Sequence, residues 1–328
     1  MDDWLQAPAL PAVLVTVARV EGSVPREAGA RMLVGAARQW DTVGGGHLEL
    51  RAVEIARAML AGGAPRRLER FPLGPGLGQC CGGVAHLAFE RVDGAHLAAL
   101  AARRTVDTWR LVAFDGEPGL ALCDEAGKPL AGTAPAFDRA AGTHVLRDAD
   151  GRRWLADLVA APRAHVMLFG AGHVGAAIVR ALAELPCRVT WVDERDAMFP
   201  ANLPHNVTVE ATDVPEALAQ HAAPGTFFLV MTHSHALDQR LAETILKRPT
   251  DDWFGLIGSD TKRKQFERRL LERGVDGARL DAMVCPVGVP GIEGKQPAVI
   301  AVAVAAQLLM AWERAFAPGP GHALPERS

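Results

Sequence analysis

The chain is 328 residues long, 49% hydrophobic and 22% charged, which is material for about two globular cores rather than one. Its formal net charge of −3 lacks the basic excess that tracks a nucleic-acid backbone, which argues against DNA or RNA as a partner. Met1-Asp2-Asp3-Trp4 does not open a secretory signal, and the apolar stretch from Ala298 to Trp312 is shorter than the roughly 20 residues of a membrane span.

In chain order, Val13–Val17 and Arg31–Val34 are β-rich runs. Between them the glycines and proline of Gly22-Ser23-Val24-Pro25-Arg26-Glu27-Ala28-Gly29 predict a loop. Gly44-Gly45-Gly46 precedes Leu48, Ala52, Ile55, Ala56 and Met59, whose spacing predicts one face of a helix. A glycine run before a helix is expected to leave backbone N–H groups free for an anion; separately, Arg26 and Arg31 beside the Gly22-Ser23 turn are read as an anion pocket or else a solvated basic face. Then comes Leu73-Gly74-Pro75-Gly76-Leu77-Gly78-Gln79-Cys80-Cys81-Gly82-Gly83, followed by strands at Val84–Phe89, Trp109–Phe114, Gly119–Cys123 and Thr143–Leu146. A linker near Ala160–Arg163 divides domains at 1–160 and 161–316, and residues 317–328 form a flexible tail.

The second half changes character. His165–Phe169 predicts a buried strand, then Gly170-Ala171-Gly172-His173-Val174-Gly175, a helix, a strand at Val189–Val192, and Asp193 at its end. Strand, G-x-G-x-x-G, helix, strand and acid is the dinucleotide order, and Asp193 lies 18 residues after Gly175. With strands at Phe227–Met231 and Phe254–Ile257 and a final helix opened by Pro297, the expected fold is α/β. It comprises an N-terminal mixed α/β domain and a C-terminal Rossmann-like, doubly wound parallel sheet.

Several constellations could carry chemistry. Cys80 and Cys81 are neighbours inside glycines. Adjacent Cα atoms stand ~3.8 Å apart, closer than the ~4.4 Å minimum usual for a disulfide, so the two are read as thiolate donors to a soft centre. The plainer alternative is two small buried residues. Cys123 and Cys187, in or beside strands, are read as core, and the odd total of five cysteines points to a reducing cytoplasm. His233 and His235, with Asp238, follow a strand and suit either a ligand or helix-start hydrogen bonding. Ser259 opens Gly258-Ser259-Asp260-Thr261-Lys262-Arg263-Lys264, which suits a phosphate or else a solvated basic face.

Taken together, these segments resemble the XdhC/CoxI family. The resemblance rests on Gly22 to Arg26, Thr42 to Glu49, Leu73 to Gly83, Phe169 to Gly175, Thr232 to His235, Gly255 to Ser259 and Cys285 to Gly288. It covers the chain from about Ala12 to Trp312, is most specific at Gln79-Cys80-Cys81-Gly82-Gly83, and is weakest from about Gly94 to Ala161. It implies a cytoplasmic, homodimeric accessory protein that is a maturation chaperone more than an enzyme. Such a protein binds the molybdenum cofactor (molybdopterin), protects it during sulfuration by a cysteine desulfurase, and delivers it to the large subunit of xanthine dehydrogenase. The expected cofactor contacts are Arg26, Gly45, Gly46, Gln79, Cys80, Cys81, Gly82 and Gly83 in the first half. In the second they are Gly170, Gly172, Gly175, Asp193, His233, His235 and Ser259. Cys80 and Cys81 are the metal-facing pair, and a nucleotide at the Rossmann-like domain is left open. The rival readings are an NAD(P)-dependent oxidoreductase using that domain and a docking scaffold that binds no small molecule.

Overall fold

A computed structural model of the chain describes residues 3–7, 11–74 and 82–316. It divides into two compact units, Met1–Ala161 and Pro162–Ser328.

Among its described residues, unit 1 holds two five-stranded antiparallel sheets. The first runs β3 (Gln39–Asp41), β2 (Arg31–Val34), β1 (Ala12–Glu21), β5 (Val84–Val92), β4 (Arg66–Pro72). Alternation along β1 explains its central place. Val13, Val15 and Val17 pack against Leu48, Ala52, Ala56 and Met59 of α1 (Gly46–Leu60), while Ala12 and Leu14 face Trp4 and the Leu97 and Leu100 of α2 (Gly94–Ala101). Each valine, leucine or methionine buried in this way contributes about 1.5–3 kcal/mol. The second sheet runs β8 (Pro129–Ala131), β7 (Leu120–Cys123), β6 (Thr108–Ala113), β10 (Arg153–Val159), β9 (His144–Arg147).

Unit 2 is a five-stranded parallel sheet in the order β13 (Val207–Ala211), β12 (Cys187–Asp193), β11 (Ala164–Phe169), β14 (Phe227–Val230), β15 (Trp253–Leu256). Helices cover both faces. α3 (His173–Leu182) and α8 (Pro297–Ala315) pack Ile178, Leu182, Val304, Leu308 and Trp312 on one face. On the other lie α4 (Pro215–His221), α5 (His235–Leu246), α6 (Asp260–Glu272) and α7 (Gly277–Ala282), with Leu241, Ile245, Phe266 and Leu270 in the core. This is the expected doubly wound sheet, its order reversing between β11 and β14. α8 runs 19 residues, beyond the apolar stretch that ends at Trp312, and is long and apolar enough to cross a membrane by length and composition. Its Ala301, Val304, Leu308 and Trp312 are buried in the core of unit 2.

Candidate functional site

In unit 1 three glycine loops meet. Gly83 donates its N–H to the Ser23 carbonyl at 3.1 Å, and Leu73 donates to the Gly83 carbonyl at 2.8 Å. A side chain at Gly83 would stand 2.6 Å from the Glu21 carbonyl oxygen, so only glycine fits there. Gly44 packs just as closely on Pro25, and Arg26 Nη1 donates to the Thr42 carbonyl at 3.3 Å. The loops bearing Arg26, Gly45 and Gly82–Gly83 are thus neighbours, and among the described residues nothing stands within 4 Å of where a side chain at Gly45 or Gly82 would begin. Gln79, Cys80 and Cys81 lie outside the described residues; the bond from Leu73 to Gly83 places the two ends of their segment at this cradle.

One expectation needs correction. The N–H groups of Gly44 and Gly45 are not left free: Gly45, like Val43 before the run, donates to Glu49 Oε2 at 3.2 Å, and Gly44 donates to Thr42 Oγ1 at 3.0 Å. Thr42 Oγ1 donates to the same Glu49 oxygen. A carboxylate from α1 occupies the place where an anion was expected. Arg31 is likewise not a surface cation. It is buried, donating from Nε to Asp157 Oδ2 at 3.2 Å and from Nη2 to Oδ1. Asp157 also accepts from Arg110 Nη1 at 2.7 Å, and Arg110 reaches Glu90 through Nη2 and His96 Nε2 through Nε, the latter at 3.0 Å. Burial works to raise the Asp157 pKa, but the two arginines outweigh it and hold the group ionised. Burial and the positive Arg110 push His96 down to about 4, so its Nε2 stays an acceptor.

In unit 2 the glycine fingerprint forms the turn from β11 to α3. Gly170 has φ +115° and its missing side chain would lie 2.5 Å from the Met231 carbonyl oxygen; Gly175 abuts the Gly170 carbonyl, which also accepts Trp191 Nε1–H at 3.0 Å. Gly172, the N-cap of α3, faces open space. At the carboxyl ends of β11, β12 and β14 is a small cleft of about 10 Å³, lined by Gly170, Asp193, Glu194, Thr232 and His233, among others. Ligands of open α/β sheets bind in such crevices.

The other predicted residues fall around this cleft or away from it. His233 is exposed, its Nε2 3.9 Å from Glu194 Oε1. His235 is the exposed first residue of α5, and Ser234 Oγ caps that helix by accepting Leu237 N–H at 3.3 Å. Ser259 caps α6 in the same way, accepting Lys262 N–H at 3.3 Å. Neither His235 nor Ser259 lines the cleft. Asp238, read as a possible ligand beside the histidines, is buried as a brace. Its Oδ1 accepts from Thr232 N–H at 3.1 Å and Thr232 Oγ1 at 2.8 Å, and its Oδ2 accepts from Lys262 Nζ at 2.7 Å. Lys262 also donates to the Ile257 carbonyl at 2.8 Å, so the basic run contributes a structural cation. Cys123, Cys187 and Cys285 are buried, unpaired thiols; burial pushes Cys187 up to about 12 and Cys285 up to about 11, which keeps both protonated and inert. Among the described residues no three His, Cys, Asp or Glu side chains gather to hold a metal ion.

Known proteins match both units. The XdhC Rossmann domain matches residues 166–308, and the XdhC and CoxI family matches residues 5–72, together more than half of the chain. The chain belongs to the XdhC and CoxI family. YqeB of Escherichia coli is 30% identical over 158 residues, which is 45% of this chain and only 27% of YqeB. A crystal structure described as a xanthine dehydrogenase from Bacillus halodurans superposes with a TM-score of 0.73 at 21% identity, covering 97% of this chain and 96% of that one. At that identity the likeness shows a shared fold and no more.

Sequence reasoning passed over Glu49, Glu194 and Arg195 as functional groups. The signal for Arg195 was its place two residues beyond the strand-end acid. For Glu49 it was an acid on the first turn of a helix that starts in glycines.

Proposed function

We propose that this protein binds the molybdenum cofactor and serves the maturation of a xanthine dehydrogenase-type enzyme. Family membership supports the maturation role. The observation that carries the cofactor reading is the convergence in unit 1 of the Gly22–Arg26, Thr42–Gly46 and Gly82–Gly83 segments, next in sequence to Cys80 and Cys81. The groups present fit the cofactor's parts. Arg26, about two-fifths exposed and always charged, would meet the phosphate, and the bare backbone at Gly45 and Gly82 lets a flat ring system approach. Gln79, Cys80 and Cys81 would meet the dithiolene and metal end, where thiolates are the suited soft donors. When bound, the group supplies an oxidation-prone metal–sulfur centre; the protein's own part is to hold it, shield it from water and dioxygen, and release it. The working partners would be a cysteine desulfurase during sulfuration and the large subunit of the dehydrogenase at delivery, with the protein acting as a cytoplasmic homodimer. Its buried, unpaired thiols suit that reducing compartment.

The test is reconstitution. Purified protein loaded with molybdopterin is mixed anaerobically with molybdenum-free dehydrogenase, and activity is followed. The unmodified chain is expected to activate the enzyme, and at least one of Cys80→Ala and Cys81→Ala to lose both cofactor and activation while keeping the parent's Tm. If both variants load and activate like the parent, the thiol contacts are wrong.

A further inference from the structure

α8 is apolar almost all round, since from Ala298 to Trp312 only Gln307 is polar, yet unit 2 covers just part of it. Ala301, Val304, Leu308 and Trp312 enter the core. A second flank is closed by the loop before the helix: Val289 N–H donates to the Ala303 carbonyl at 3.2 Å, and Gly288 N–H donates to Gln307 Oε1 at 2.7 Å. On the third flank Val302 is 61% exposed, Met310 50% and Leu309 37%, with Ala298 exposed and Val299 and Ala306 half-buried. At about 100° per residue these six share one face, a strip about 18 Å long. A helix that is hydrophobic all round is ordinarily buried all round, and a continuous exposed apolar strip marks an interaction surface.

The strip has the pattern of a helix that pairs with a helix. Val299, Val302, Ala306 and Leu309 recur at alternating steps of three and four, the spacing of a coiled-coil seam, and Glu313 continues it in the last turn. The strip is also complementary to itself when reversed. In an antiparallel pair centred at the level of Val304, Val299 stands opposite Leu309 of the partner subunit, Val302 opposite Ala306 of the partner subunit, and Ala298 opposite Met310 of the partner subunit. Two of these layers set a small residue against a larger one, which lets the helices approach closely. Lys295, two residues ahead of the helix, then stands opposite Glu313 of the partner subunit, a pairing of opposite charges. A two-fold axis repeats each contact, as an isologous dimer requires. A lipid surface fits the strip less well. Helices that lie in a membrane interface back their apolar face with a polar one rich in Lys and Arg, whereas the back of α8 is protein core.

We propose that the outer strip of α8 is the surface through which two copies of this chain associate, α8 pairing antiparallel with α8 about a two-fold axis. The proposal rests on the homodimer reading above and gives that dimer a face, a register and an ion pair.

The experiment is sedimentation velocity on the full chain and its variants over a dilution series. The parent is expected to sediment as two chains. Val302→Glu sets a carboxylate against an apolar layer twice in each dimer, and is expected to weaken association at least about a hundred-fold. Because Val302 is exposed in the single chain, the circular dichroism spectrum should stay that of the parent. Leu271→Glu, at a residue of α6 that is 53% exposed on the other side of the sheet, is expected to dimerise like the parent. Lys295→Glu should weaken the dimer several-fold by creating two like-charge pairs, and adding Glu313→Lys should restore it, a rescue that misfolding does not produce. A dimer that Val302→Glu leaves at parent affinity would overturn the proposal while the homodimer reading stands. A double variant no better than Lys295→Glu would overturn the antiparallel pairing. A parent that stays monomeric would overturn both readings, and its flotation with anionic phospholipid vesicles would assign the strip to a lipid surface instead.

Discussion

Glu49 and Asp193 do the same work in the two units: each carboxylate turns back onto N–H groups of a glycine loop and fixes its shape before any ligand arrives. Glycines in these loops then divide into those that must be glycine for packing and those with open space. Gly83→Ala would drive a methyl into the Ser23 and Glu21 carbonyls, and we expect a loss of about 3 kcal/mol or more, on the scale of severe steric substitutions. Gly172→Ala adds a methyl to open space at an ordinary φ of −76°, so Tm should stay within a degree or two of the parent. Thermal unfolding of the two variants side by side checks this. A Gly83→Ala protein as stable as the parent would mean the loops are not seated as described. The glycine positions were legible in the sequence because backbone demands are local. The partners of the loop N–H groups were not, since a glutamate four residues along reads equally well as a solvated helix residue.

At the scale of elements, apolar periodicity marked β1, α1, β11, α3 and β14 plainly. β4 and β10 were missed. β4 reads Arg66-Arg67-Leu68-Glu69-Arg70, a charged edge strand with little to bury, and β10 places Asp157 in the middle of an inner strand. That aspartate is tolerable only because Arg31, 126 positions away, and Arg110 surround it, a pairing no local pattern announces. Asp157→Asn leaves two buried arginines short of a counter-charge and should destabilise by about 3–5 kcal/mol, measurable by urea unfolding. The same cluster gives unit 1 a pH dependence. His96 titrates near 6.5 in the unfolded chain but is held at about 4 in the fold, so the unfolded state takes up a proton first as pH drops. Stability is expected to fall from pH 6.5 towards 4, before the carboxylates titrate. His165 in unit 2, pushed to about 4 by burial and Arg188, acts in the same direction. His96→Gln keeps an acceptor for Arg110 and should flatten the Tm profile over that range; an unchanged slope would remove His96 from the explanation.

The whole molecule joins an antiparallel unit carrying the glycine cradle to a parallel unit carrying the dinucleotide fingerprint, and both belong to one family. The central claim is that the cradle in unit 1 holds the molybdenum cofactor, and native mass spectrometry of anaerobically purified full-length chain addresses it most directly. The account predicts a species heavier than the apoprotein by the mass of molybdopterin, with or without molybdenum. That species should be depleted in Arg26→Ala and in at least one of Cys80→Ala and Cys81→Ala. Apoprotein alone from cells rich in the cofactor, or a molybdopterin adduct that survives all of the unit 1 substitutions, would contradict it.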